Sequence, residues 1–195
     1  MKILKLSALS LLLILGFGCK EAKKEASEAA EEMDEAVEMV KEEVMEETIA
    51  FKMEPKSDSK VAGEVSFTEK DGKVMMKASF SGLTPGEHAI HIHEKADCSA
   101  ADGTSTGGHW NPTSEPHGKW GMSEGYHRGD IGNFTADADG NATVEFTTDL
   151  WCLSCEDTTK NITGKAVIVH QGVDDFVSQP SGAAGARISC TGIIK

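Results

Sequence analysis

From residue 48 onward the chain is written in short alternating runs, none long enough for a helix of the usual length and each closed by turn residues. Ala62–Glu69 ends at Asp71-Gly72, a two-residue hairpin signal. Lys73–Ser81 ends near Pro85-Gly86, and Glu87–Glu94 alternates again. Gly132–Ala136 and Ala142–Thr148 flank Asp139-Gly140-Asn141, and Ala166–His170 and Arg187–Ile194 follow. With a run near Thr48–Glu54 this makes about eight strands. The pattern predicts an all-β domain, an eight-stranded antiparallel Greek-key sandwich or barrel over residues 48–195. Two long segments, near 95–128 and 171–186, interrupt it, and long loops in a compact domain are usually functional.

The first 47 residues read differently. Lys2 and Lys5 precede an apolar stretch, Leu6 to Gly18, too short to span a bilayer comfortably, so residues 1–18 are expected to be an export signal. Gly16-Phe17-Gly18-Cys19 resembles a bacterial lipobox, with its apolar residue, Leu15, one place further upstream than usual. Lipidation of Cys19 would make an exported, membrane-anchored lipoprotein, periplasmic or at the cell surface. Residues 19–47 form an acidic tether, helical or flexible: Ala26, Ala30, Met33, Val37, Val40 and Val44 recur at helical spacing.

The net charge of the whole chain is −13. Within residues 20–47, 4 Lys and 12 acidic residues give −8, and the rest of the chain stays acidic. Such a surface excludes nucleic acid as a partner, since a phosphate backbone demands basic residues. Beyond Cys19 four cysteines remain, Cys98, Cys152, Cys155 and Cys190, an even number suited to two disulfides in an oxidising compartment. Cys152-Leu153-Ser154-Cys155 admits a local disulfide, a redox-active pair or a metal relay. The local disulfide is expected, because neither a thioredoxin-like context nor a second pair for zinc is present.

The chemistry lies in seven histidines, all beyond residue 87: His88, His91, His93, His109, His117, His127 and His170. His91 and His93, two apart on a strand, face one side and can converge on one ion. His109, His117, His127 and Asp130 sit among glycines and prolines that let a loop fold back, and three imidazoles with one carboxylate satisfy a closed tetrahedral zinc site. His170 ends the apolar run Ala166–Val169.

Four ordered motifs, Glu87-His88-Ala89-Ile90-His91-Ile92-His93, Gly108-His109-Trp110-Asn111-Pro112, His127-Arg128-Gly129-Asp130-Ile131-Gly132-Asn133 and Gly185-Ala186-Arg187-Ile188-Ser189-Cys190, resemble the Cu/Zn superoxide dismutases, bacterial exported branch. The resemblance implies copper held by His91, His93, His109 and His170, and zinc held by His109, His117, His127 and Asp130, with His109 shared. It implies that Asp174 links His91 to His117, that His88 is structural, that Arg187 guides the superoxide anion, and that Cys98 pairs with Cys190. The activity implied is dismutation of superoxide to oxygen and hydrogen peroxide by alternating Cu(II) and Cu(I). The alternative is a non-catalytic copper- and zinc-binding lipoprotein on the same fold, which would be expected to lack a ligand or the guiding arginine. The segment 171–186 has Asp174 and Asp175 but no lysine, so steering is expected to rest on Arg187. Trp110 is expected to pack beneath the metal loop. Trp120 and Tyr126 fit either core or a homodimer patch.

Overall fold

The computed structural model describes residues 46–195. The signal segment 1–18, Cys19 and the tether as far as residue 45 lie outside the described residues. Eight strands form: β1 Glu47–Pro55, β2 Ala62–Lys70, β3 Lys73–Ser81, β4 Gly86–His93, β5 Gly132–Ala136, β6 Ala142–Thr148, β7 Ala166–His170 and β8 Arg187–Gly192. Glu47, counted with the tether by composition, is the first residue of β1.

All pairings are antiparallel, in the order β5-β4-β7-β8-β1-β2-β3-β6. The two ends of this order, β5 and β6, are consecutive in sequence and joined through a turn in which Asp137 N–H donates to Asn141 O at 2.8 Å. The sheet therefore curls into a nearly closed barrel, which leaves little unpaired edge. β1 changes partners along its length, pairing with β2 as far as Met53 and with β8 at Glu54 and Pro55. Asp71 and Gly72, at φ 51° and 69°, make the left-handed turn between β2 and β3 that the sequence announced.

Alternation explains the interior. On β3, Val74, Met76, Ala78 and Phe80 point inward while Lys73, Lys77 and Ser79 face water. Their facing partners include Val65 and Phe67 of β2, Ile90 and Ile92 of β4, and Val167 and Val169 of β7, all fully buried. Aromatic packing closes one end: Phe146 and Trp151 lie 5.0 Å apart between ring centroids, and Trp120 meets both at 4.8 and 5.9 Å. Trp120 thus belongs to the core margin, and Tyr126 packs on it half-buried. Trp110 is buried beneath the long loop, as expected.

Strand β4 departs from simple alternation: every residue from His88 to His93 is buried. One face, His88, Ile90 and Ile92, looks into the barrel. The other face, Ala89, His91 and His93, is covered by the two long loops. The edge of β4 beyond Ile90 has lost β5 and is taken over by the first loop. Ile92 N–H donates to Gly129 O at 2.9 Å, Trp110 N–H donates to Ile92 O at 2.8 Å, and Gly129 N–H donates to Trp110 O at 3.0 Å. Only glycine fits at 129, because a Cβ there would run into the Ile92 carbonyl. Both expected disulfides are present: Cys98–Cys190 ties the start of that loop to β8, and Cys152–Cys155 closes a short surface loop.

The core analysis yields a direct test. Truncating the fully buried Phe67 to Ala should lower stability to denaturant by about 3–5 kcal/mol, through lost transfer energy and a residual cavity. Equilibrium denaturation of the variant beside the parent, both with disulfides intact, measures it.

Candidate metal centre

The two loops and strands β4 and β7 bring six histidines and Asp130 together. His91 and His93 come from the outward face of β4, and His170 from the end of β7, where the ladder shifts register between Val169 and His170. His109 forms an isolated bridge with His93. The donor atoms of His91, His93, His109 and His170 lie within 4.8 Å of one another, as do those of His109, His117, His127 and Asp130. All are buried, none more than 5 % exposed, and His109 belongs to both groups. The rings of His91 and His109 approach to 3.9 Å between centroids.

Hydrogen bonds decide which nitrogen of each ring is free. His93 Nδ1–H donates to Gly107 O at 3.0 Å, and His170 Nδ1–H donates to Gly185 O at 3.3 Å. Carbonyls only accept, so each proton sits on Nδ1 and each Nε2 is bare. These two bare nitrogens face each other at 3.4 Å, an arrangement with no proton to share. His91 Nε2–H donates to Asp174 Oδ2 at 2.8 Å, and His117 Nε2–H donates to Asp174 Oδ1 at 2.8 Å. Among the described residues, their Nδ1 atoms are left buried without a hydrogen-bond partner, as are Nε2 of His109 and Nδ1 of His127. His117 Nδ1 lies 3.0 Å from Asp130 Oδ2 and His127 Nδ1 lies 3.2 Å from Asp130 Oδ1, close but not hydrogen-bonded.

Buried lone pairs without donors are costly, and a cation satisfies them together. The donor chemistry therefore fits metal in both pockets. Four imidazoles suit copper, and three imidazoles with a carboxylate suit zinc.

Electrostatics agree. Burial holds His91, His93 and His170 below their usual pKa, and neighbouring imidazoles push His93 and His170 further down. Burial also lowers His109 to about 4 despite Asp130. His117 goes the other way: burial opposes its charged form, yet Asp130 and Asp174 outweigh it and raise it to about 9 before any metal's charge is counted. Burial pushes Asp130 and Asp174 upward, but their imidazole partners hold both well below the usual carboxylate range. Two ionised carboxylates beside His117 thus favour positive charge in the second pocket.

Asp174 bonds to one ring of each pocket, His91 and His117. Gly182 makes room for it: a Cβ there would overlap Asp174 Oδ1 and crowd His117 Nε2. Asp174 is fixed in turn by Asn133 of β5, whose side-chain amide accepts from Asp174 N–H and donates to Asp174 O, each at 2.8 Å. In the sequence Asn133 stands only within a motif, and nothing there points to Gly182. A close approach between two loops leaves no periodic signal to find.

His88 stands apart from both pockets, on the barrel face of β4. Its Nδ1 meets His170 O at 3.0 Å and its Nε2 meets Thr84 O at 2.8 Å, a structural brace. Arg187 opens β8 opposite His170, and its Nη1–H groups donate to Gly103 O at 2.8 Å and Thr106 Oγ1 at 2.9 Å. It lines one open channel with His93, His109 and His170. Among the described residues, Glu94 is the one carboxylate lining that channel, and no lysine does.

Comparison with known proteins agrees with this geometry. The sequence profile of the family described as Copper/zinc superoxide dismutase (SODC) matches residues 61–194. The chain is 39% identical over 142 residues to a superoxide dismutase [Cu-Zn] of Caulobacter vibrioides, covering 71% of this chain and 80% of that protein. It is 34% identical over 142 residues to superoxide dismutase [Cu-Zn] 2 of Aquifex aeolicus, covering 71% and 82%. Among solved structures, a double mutant of a SOD-like protein from Bacillus subtilis superposes with TM-score 0.67 at 32% identity, covering 75% of this chain and 97% of that one. The clock protein EA4 superposes with TM-score 0.64 at 33% identity, covering 75% and 94%. With this match across most of its length, the chain belongs to the copper/zinc superoxide dismutase family.

Proposed function

We propose that this chain performs dismutation with copper held by His91, His93, His109 and His170, and zinc held by His109, His117, His127 and Asp130. The enzyme is a superoxide dismutase that uses copper and zinc to convert two superoxide anions and two protons to oxygen and hydrogen peroxide. The observation that carries the ligand assignment is the set of buried ring nitrogens that lack any proton donor and point into two adjoining pockets. When bound, copper supplies one-electron redox chemistry, and zinc supplies fixed positive charge without changing oxidation state.

The chain's own residues do the rest. His109 presents Nδ1 to Asp130 at 2.8 Å and Nε2 to the four-imidazole pocket. With Nδ1 committed, Nε2 is the atom that can take and return a proton beside the substrate. Asp174 fixes the rings of His91 and His117 in one tautomer, so each keeps a bare Nδ1 for its own pocket. Arg187, held by Gly103 and Thr106, keeps a permanent positive charge beside His170 to receive a small anion. Burial of the ligands limits their contact with bulk water.

Export and membrane attachment are part of the proposal. The reading rests on the apolar segment ending at Cys19 and on two disulfides, which persist in oxidising compartments. The enzyme would then meet superoxide outside the cytoplasm, in the periplasm or at the cell surface. The mature N-terminal peptide should carry a lipid mass on Cys19, and a mature chain with an unmodified Cys19 would refute the anchor.

Two activity tests follow. His170→Ala should abolish dismutation, while the zinc content stays near that of the parent by elemental analysis. Full activity in that variant would overturn the copper assignment. Arg187→Ala should lower kcat/KM by about tenfold with both metals retained, the loss expected for one positioned charge acting on an anion. In the parent, raising ionic strength from about 0.01 M to about 0.15 M should cost no more than about threefold, because Arg187 and Glu94 offset each other at long range.

A further inference from the structure

We infer that Gln179 is a positioning residue for the zinc pocket: its side-chain amide clamps the backbone of His117 and so fixes where that imidazole points. The inference rests on the assignment of His117 to zinc.

His117 lies deep in the long loop, in no strand. It is only 3 % exposed, so its backbone N–H and C=O need partners. Neither joins a backbone hydrogen bond among the described residues. Both are met by one side chain. Gln179 Oε1 accepts from His117 N–H at 2.8 Å, and Gln179 Nε2–H donates to His117 O at 2.8 Å. A donor and an acceptor spaced as in a primary amide reproduce one rung of a β-ladder, and no other neutral side chain except Asn offers that pair. Asn is one methylene shorter.

Gln179 comes from the 171–186 segment, which also supplies Asp174 to His117 Nε2. The second loop thus grips His117 at ring and backbone, three hydrogen bonds on one residue. The ring contact fixes the tautomer and the plane. The backbone contact fixes the Cα, and through it the distance from Nδ1 to Asp130, now 3.0 Å. Losing the amide would leave two buried backbone groups to find water, and the loop would have to open for them.

The experiment compares the holoenzyme with Gln179→Ala, Gln179→Glu and Ser178→Ala. Ser178 is a neighbour in the same loop whose hydroxyl binds Asp175 and does not touch His117. Zinc loss to a chelator and the visible spectrum of the protein with Co(II) in the zinc pocket are the readouts. Gln179→Ala should release zinc about 10–100-fold faster, as for other residues that orient ligands, and should alter the Co(II) bands. Gln179→Glu keeps the acceptor for His117 N–H but lacks the donor, and should fall between. Ser178→Ala should match the parent.

Parent-like zinc retention and Co(II) bands in Gln179→Ala would overturn the inference. So would an equal effect in Ser178→Ala, which would mean general loosening of the loop. His117→Ala separates the two claims. If that variant keeps parent-like zinc affinity, the ligand assignment itself fails; if it loses zinc while Gln179→Ala does not, only the clamp fails.

Discussion

An imidazole binds metal only through a nitrogen that carries no proton, and this structure enforces that condition at four of the six rings. Gly107 O, Gly185 O and the two oxygens of Asp174 each take the proton of one ring onto the far nitrogen. The near nitrogens then have nothing to do except meet a cation. The fold serves this requirement. Two of the acceptors are backbone carbonyls of the long loops, so those loops must lie close to β4 and β7, and the outer face of β4 is buried for that reason. A strand with a dry face on each side is unusual in an antiparallel sheet, where one face commonly meets water.

The loops are held by several unlike devices. The first continues the β4 ladder through Ile92, Trp110 and Gly129, and is covalently tied to β8 through Cys98. The second has no strand of its own. It is held by side-chain amides and one carboxylate, Asn133 to Asp174 and Asp174 to both histidine pockets, and by a backbone bond from Ala89 N–H of β4 to Gly172 O at 2.9 Å. Trp151 adds a tie from below, its indole N–H donating to Arg128 O at 2.9 Å in the turn between His127 and Asp130. Rigid positioning of a site built largely on loops requires this density of specific contacts.

Much of this was legible in the sequence. The strand runs fall where alternation placed them, with ends shifted by a residue or two, because period-two burial and turn residues such as Asp71-Gly72 act locally. His109, His117, His127 and Asp130 were legible as one zinc-type cluster, but the four-histidine copper set and the sharing of His109 came from resemblance. Spacing alone permits His91 and His93 to share an ion and says nothing of His170, which lies far along the chain. Gln179 and Gly182 were not legible. One completes a backbone's hydrogen bonds and the other is defined by a side chain it lacks, and both depend on a neighbour remote in sequence. Trp120 stood between core and interface in the sequence, and its contacts with Phe146 and Trp151 place it at the core margin.

The Cys98–Cys190 bridge has a bearing on where such a chain can work. Gly103 and Thr106, the two residues that hold the Arg187 side chain, follow Cys98 within one short stretch, and Arg187 itself stands three positions before Cys190. The covalent link therefore closes a small ring around the guanidinium's anchorage. In surroundings rich in thiols that ring would be cut, and the cation would lose its fixed seat while every metal ligand stayed in the chain. The seat of the charge that greets the substrate is in this way tied to an intact disulfide.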